Sequence, residues 1–382
     1  MKLFDDFDNS ERVFRPAFFV EQEFDYLNIS GKEEFCEIRA RIEGWFSHYP
    51  SEHAKEFRSR FRSQNDYDHY SAYFELFLHE LLRKMGCKIV VHSKANPYSD
   101  KKPDFLVKSA KGCEFYLEAV IATAESKEEF GKKVARNKVY DRLNSIKSED
   151  FSIGMELEGY PNSQPPEKKI VRFLEEKLRL IRYETLFTRF KNHGYEAMPR
   201  WLCDYDGWRI KFFPIPKEQR GKMGVRPLKI RHEAAVLADD VSPLKKAILK
   251  KATRYGSFDL PYIVGVNTLS ISTDDIDIQQ ALFGMEVYDA KWWSEEITSK
   301  DLNGVWIHKS GPRNTRVSGV LFTKNMLPTN LSKIDEMFLY HNPWASKKYT
   351  CDLTRLRQAN LSEAGRMELK IGEKASRILG YQ

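Results

Sequence analysis

The stretch that decides the fold is residues 101–120, which read KKPDFLVKSAKGCEFYLEAV. It holds two runs of residues with high β-strand propensity, and Lys111-Gly112 between them is typical of a hairpin turn. Asp104 stands at the start of the first predicted strand, and Glu118 stands near the end of the second. The hairpin therefore predicts that these two carboxylates lie side by side.

A pair of neighbouring carboxylates has a definite chemical meaning. Two such groups repel each other unless a cation lies between them. Ligands that are oxygen only, with room for water, suit Mg²⁺ or Mn²⁺. Such an ion can lower the pKa of a bound water and stabilise the charge on a phosphodiester. Asp104 and Glu118 are therefore the candidate metal ligands of the chain.

Helical and strand patterns continue on both sides of this hairpin. Helices are predicted to begin near Ser30, Ser51, Asp68, Ser126, Pro165 and Ser242. Further strands are predicted at residues 88–92, 151–157, 208–213 and 262–266. The helix from Asp68 is expected to stop at Gly86 and the helix from Pro165 near Tyr183. The helix from Ser242 is expected to end at Gly256, with Arg254 pointing away from its buried face. Residues 217–229 are expected to form a loop. Beyond about residue 270 the pattern weakens into short strands and long loops.

The order of these elements resembles the PD-(D/E)XK nuclease superfamily, which includes restriction endonucleases and many phage-defence nucleases. A helix with a Glu, a Pro-Asp pair, a hairpin and a strand with a Glu carry the resemblance, which covers residues 66–158 and extends to about 267. It implies an α/β fold with a restriction-endonuclease-like mixed sheet flanked by helices. The implied parts are an N-terminal helical segment at 1–65, a nuclease core at 66–270 and a C-terminal α+β extension of unknown role at 271–382.

The resemblance also implies roles for individual residues. In that family the Asp and the strand Glu bind the metal, which assigns Mg²⁺ or Mn²⁺ to Asp104 and Glu118. An additional helical Glu often joins them, and Glu75 matches it, on the flank of the apolar face of its helix. The alternative interpretation of Glu75 is an ordinary residue at the boundary of that face.

One position departs from the family pattern. The family has a Lys two residues after the strand Glu, and this chain has Val120 there. Either a Lys has moved to a helix that faces the site, or the domain has lost catalysis and only binds nucleic acid. Lys251 is the first candidate because it flanks the buried face of its helix, and Lys138 is the second because its helix follows the Glu118 strand. The alternative for each is a solvated lysine.

The function implied is a metal-dependent endonuclease that hydrolyses DNA phosphodiester bonds, in restriction or phage defence, with RNA as the other possible substrate. The first alternative is a catalytically inactive nuclease-fold protein that binds nucleic acid or a partner protein. A homodimer or a partner protein from a defence system is compatible with either. A scaffold protein with no nucleic-acid role is the second alternative. The basic run Arg220–Arg226 and Trp292-Trp293 are further candidate contacts for nucleic acid, with a surface loop and core packing as their alternatives.

The composition of the whole chain limits its class. Of 382 residues, 41% are hydrophobic and 31% charged, which is ordinary for a globular protein. The net charge of +7 is weak evidence for a polyanionic partner. The five cysteines include no Cys-x-x-Cys pair, which argues against a zinc knuckle or a disulfide framework. Without a signal peptide or a long apolar run, the protein is expected to be cytoplasmic and not to enter a membrane.

Overall fold

The computed structural model of the chain divides into two compact units. It describes residues 1–93, 102–123, 127–221, 226–232, 239–256, 258–288, 297–333, 337–350, 353, 355–362 and 367–380. Unit 1 comprises residues 1–13, 22–124 and 239–382, and unit 2 comprises residues 14–21 and 125–238. This division differs from the three consecutive segments expected from the sequence, because unit 1 is built from stretches on both sides of unit 2.

The described residues form both α-helices and strands. The helices are α1 Glu23–Ile29, α2 Glu33–Phe46, α3 Ser51–Phe61, α4 Asp66–Lys84, α5 Lys127–Leu143, α6 Glu167–Arg179, α7 Tyr183–His193, α8 Val241–Ala252, α9 Asp275–Phe283 and α10 Ala375–Leu379. The strands are β1 Lys88–Val91, β2 Phe105–Lys108, β3 Glu114–Ala122, β4 Phe151–Glu158, β5 Trp201–Tyr205, β6 Trp208–Pro216, β7 Leu228–His232, β8 Tyr262–Thr268, β9 Met285–Tyr288, β10 Ile297–Asp301, β11 Ile307–His308, β12 Gly311–Pro312, β13 Gly319–Lys324, β14 Met337–His341, β15 Arg357–Leu361 and β16 Met367–Lys370. The predicted mixed α/β class is confirmed at this level, and none of the helices in the described part of the chain has the length and apolar content needed to span a membrane.

An eight-stranded mixed sheet forms the centre of unit 1, in the order β1-β2-β3-β8-β13-β14-β15-β16. Strands β1, β2 and β3 are antiparallel neighbours, whereas β8 runs parallel to both β3 and β13. The strands β13 to β16 extend this same sheet. The stretch expected as a C-terminal α+β extension therefore contributes four strands to the main sheet.

The predicted hairpin is present between β2 and β3. Phe105 pairs with Leu117, so Asp104 precedes the ladder opposite Glu118. At the turn, Gly112 has φ +88°, a left-handed conformation that glycine adopts without strain. The turn thus sets the register on which the two acidic residues meet.

Alternation along β3 gives this sheet two different faces. Leu117 and Ala119 join the apolar cluster that includes the buried residues of α4. Tyr116 and Val120 join a second cluster that includes the buried residues of α8. Side chains alternate between the two faces of a strand, so Glu118 shares the face of Tyr116 and Val120, which α8 covers.

Unit 2 has a sheet of its own, in the order β5-β6-β4-β7. Two predictions in this unit were wrong in detail. The helix expected to run to Tyr183 ends at Arg179 and is followed by α7, because its Ile170 and Leu174 pack in one apolar cluster while Leu186 of α7 packs in another. The loop expected at 217–229 includes the start of β7, which pairs with β4.

Candidate functional site

The structure places Asp104 and Glu118 side by side. The side chain of each accepts a hydrogen bond from a backbone N–H at or next to the other residue. The backbone N–H of Asp104 donates to Oε2 of Glu118 at 3.1 Å. In return, Oδ2 of Asp104 accepts from the backbone N–H of Ala119 at 2.7 Å. Both bonds follow from the hairpin register, so the local sequence is sufficient to bring the two carboxylates together.

Four donors surround the Glu118 carboxylate, which is fully buried. Oε1 accepts from Nζ of Lys251 at 2.5 Å and from Nη1 of Arg254 at 3.1 Å. Oε2 accepts from the Asp104 amide and lies 2.7 Å from the hydroxyl of Tyr255. Two cationic donors on one oxygen identify Glu118 as the centre of the site.

Helix α8 delivers Lys251 to this position. The helix packs on the sheet through Leu244, Ala247, Ile248 and Ala252, which are all buried. Lys251 lies on the flank of that face, so its long side chain can reach over the apolar contact to Glu118. The ammonium group lies on the face of the sheet that also holds Val120. Lys138, the second candidate, is an exposed residue of α5 in unit 2.

Arg254 and Tyr255 are functional candidates that sequence reasoning missed. Arg254 was expected to point away from the buried face, on the assumption that the helix continues to Gly256. Helix α8 ends at Ala252, and the chain then turns, with the N–H of Arg254 bonded to the carbonyl of Lys251. The turn redirects Arg254 toward Glu118, and the tertiary packing of Tyr255 among other aromatic rings sets its position.

The electrostatics of the pair are strongly perturbed at Asp104. Burial raises the pKa of the Asp104 carboxyl well above its usual value, and the negative charges of Glu118 and Glu75 raise this pKa further. Lys251 and the bound Ala119 amide act in the opposite direction on the same pKa, but their effects are smaller. A cation bound next to this carboxyl would stabilise its ionised form, because the cation can take the place of the proton.

Glu75 is placed differently from the other two acids. Its carboxylate accepts from the hydroxyl of Tyr49 at 2.6 Å and from Nη1 of Arg60 at 2.7 Å. Its helix α4 packs on the opposite face of the sheet from α8. Across the described residues, no group of three or more His, Cys, Asp or Glu side chains is arranged to hold a metal ion. The expected three-carboxylate set of Glu75, Asp104 and Glu118 is therefore not assembled, although the charge of Glu75 still acts on Asp104.

The two remaining carboxylates fit a hard divalent cation. Mg²⁺ is commonly held by one or two carboxylates, with water and substrate phosphate as its other ligands. Asp104 and Glu118 offer such an oxygen-only set at one point of the sheet. The pKa of Asp104 is raised first by burial and then by the negative charges of Glu118 and Glu75, and a bound cation would offset both effects.

Other acidic and basic runs have structural roles or lie outside the described residues. Asp274 and Asp277 form a capping box at the start of α9. Asp206 occupies a turn with φ +46°. Arg220 bonds to Asp150, while the following residues 222–225 and the pair Trp292-Trp293 are outside the described part of the chain.

Comparison of the chain with protein-family models, with curated proteins and with solved structures finds no match.

Proposed function

We propose that the protein is a metal-dependent nuclease that hydrolyses phosphodiester bonds of DNA. The observation that carries the proposal is the bond from Nζ of Lys251 to Oε1 of Glu118, beside Asp104. A largely buried cation next to a carboxylate pair is a combination that can catalyse phosphodiester hydrolysis. The carboxylates bind the metal, and the cation stabilises negative charge on the phosphorus oxygens.

The arrangement of unit 1 supports a restriction-endonuclease-like core. Every feature on which the sequence resemblance rested lies between α4 and β8, and the two stretches of this core are joined by the parallel pairing of β3 with β8. That pairing aligns Glu118 with Val264 of β8. The helix that precedes β8 in the chain is α8, which supplies Lys251. A Lys from α8 can thus take the role of the family Lys that Val120 does not supply.

The proposed roles follow from the contacts. Asp104 and Glu118 hold Mg²⁺ or Mn²⁺, which supplies a bound water of lowered pKa and neutralises phosphate charge. Lys251 binds the developing negative charge of the phosphoryl group, and its position is set by Glu118 and by the packing of α8. Tyr255 holds the second oxygen of Glu118 in place, since its hydroxyl lies 2.7 Å away.

The exposed side of α8 supports a nucleic-acid substrate. An open surface along it is formed by Ser242, Lys245, Lys246, Leu249, Lys250 and Thr253. Lysines on such a surface can neutralise phosphates of a nucleic-acid backbone. They lie on the same helix as Lys251. The setting in restriction or phage defence, and a cytoplasmic location, belong to the same proposal.

Supercoiled plasmid incubated with Mn²⁺ tests this function. The wild type should nick the plasmid, and Asp104→Asn and Glu118→Gln should each abolish the reaction. Lys138→Ala is the matched control, because it removes an exposed cation from α5 and leaves α8 and Glu118 unchanged. Binding of an oligonucleotide duplex should weaken with salt, by about one log-log unit per phosphate contact. No nicking with any divalent metal would overturn the catalytic proposal.

A specific observation favours a second function, an inactive nuclease fold that binds nucleic acid. The four donors on Glu118 already fill the acceptor capacity of its carboxylate. Such a network is also what a purely structural ion cluster would show. In that case the duplex would bind with the same salt dependence, but Mn²⁺ would neither bind to the protein nor support cleavage.

A further inference from the structure

Glu118 can bind a divalent cation only after one of its donors has left. Each carboxylate oxygen has two lone-pair directions. Lys251 and Arg254 occupy those of Oε1, and the Asp104 amide and the Tyr255 hydroxyl occupy those of Oε2. A cation at this carboxylate therefore replaces a donor, and the structure indicates which one.

Neither of the two donors to Oε2 can move away from this oxygen. The Asp104 amide is held by the register of the hairpin. The hydroxyl of Tyr255 also lies 2.9 Å from the carbonyl oxygen of Lys102, so its single proton can turn to that acceptor. Its ring is buried against Phe258 and Tyr262, however, so the hydroxyl oxygen itself stays next to Oε2. A cation therefore does not gain access to Oε2 of Glu118.

On Oε1, the two cations differ in their access to solvent. The side chain of Lys251 is 11% exposed, so a Lys251 ammonium without Glu118 would be a buried charge that has lost its partner. The side chain of Arg254 is 43% exposed, so water can replace the hydrogen bond that its guanidinium gives up. Arg254 is therefore the donor that leaves at the lowest cost.

We propose that Arg254 is a positioning residue that alternates between Glu118 and the substrate. With no divalent cation bound, its guanidinium occupies Oε1 of Glu118 and competes with metal binding. When a cation binds, Arg254 turns to a non-bridging oxygen of the substrate phosphodiester. The planar guanidinium suits phosphate, because two of its N–H groups can bind two oxygens at once. This inference rests on the proposed nuclease function.

The test is the affinity of the protein for Mn²⁺, measured by calorimetry without nucleic acid. Removing the competitor in Arg254→Ala should tighten Mn²⁺ binding by about two- to fivefold, the scale of a half-exposed ion pair. Lys250→Ala removes the same charge from the same helix region and should leave the affinity near that of the wild type. A gain in both variants would indicate general electrostatics, and it would overturn the role of Arg254.

The cleavage assay provides a second, opposite readout. Arg254→Ala should raise KM for the DNA substrate while the Mn²⁺ concentration needed for half-maximal activity falls. If wild type binds Mn²⁺ and cleaves, but Arg254→Ala binds the metal equally or more weakly, this inference fails and the nuclease proposal stands. If neither protein binds Mn²⁺, both proposals fail together.

Discussion

Lys251 and Glu118 are 133 residues apart in the chain, yet Nζ of Lys251 lies 2.5 Å from Oε1 of Glu118. Glu118 lies on β3 and Lys251 lies on α8, the helix that precedes β8. Parallel pairing of β3 with β8 brings these two parts of the chain together. The contact assembles the candidate site from two stretches that unit 2 separates in sequence.

Replacing Lys251 should affect both catalysis and stability. Lys251→Met removes the cation and retains most of the apolar stem, so cleavage should fall by roughly 10²-fold or more. The buried Glu118 would lose one of its four donors, which should reduce the free energy of unfolding by about 1.5–3 kcal/mol. Urea denaturation measures the loss, and Lys138→Ala, on the exposed surface of α5, should change neither quantity.

A double-mutant cycle of Lys251→Met and Glu118→Gln separates the pair from its surroundings. The double variant should be less destabilised than the sum of the single variants, with a coupling on the order of 1–3 kcal/mol. Additive losses would show that the short distance between Lys251 and Glu118 contributes no interaction energy.

Asp104→Asn should stabilise the protein increasingly as the pH rises. Because the pKa of Asp104 is raised in the folded state, the folded state retains this proton where the unfolded chain has lost it. The stability of the wild type therefore falls as pH rises from the ordinary carboxyl pKa of 3.8 through the raised pKa. The amide has no such charge, and its oxygen can still accept from the Ala119 amide.

Thermal unfolding in EDTA across pH 4–8 (roughly the range in which a raised carboxyl pKa acts) measures this effect. The Tm of Asp104→Asn relative to wild type should increase by a few degrees toward the alkaline end. A difference in Tm that is constant with pH would show that Asp104 titrates as an ordinary carboxyl.

Glu75→Gln should separate structural from metal-binding roles among the three acids. The Glu75 carboxylate is held by Tyr49 and Arg60, so its loss should lower the free energy of unfolding by about 1–3 kcal/mol. The affinity for Mn²⁺ should stay within about twofold of wild type, because Glu75 is not part of a three-acid group. Calorimetry with Asp104→Asn alongside provides the contrast, and a loss of Mn²⁺ affinity in Glu75→Gln equal to that in Asp104→Asn would restore Glu75 as a ligand.

Much of the fold was predictable because its signals are local. The hairpin turn at Gly112, the end of α4 before Gly86 and the buried strand β8 all follow from short-range patterns of turn residues and apolar residues. Strands β13 to β16 were less predictable. Their place in the sheet depends on pairing with β8 and with one another, which no short window of sequence contains.

The sequence by itself determined that Asp104 and Glu118 meet, because a tight hairpin holds both in one register. It also indicated that Lys251 flanks the buried face of its helix, since helical periodicity places it there. Only the tertiary structure decided that Lys251 reaches Glu118, that Arg254 turns to the same oxygen and that Glu75 pairs with Arg60. These contacts join distant segments, and their geometry depends on how helices pack on the two faces of the sheet, which the spacing of residues along the chain does not specify.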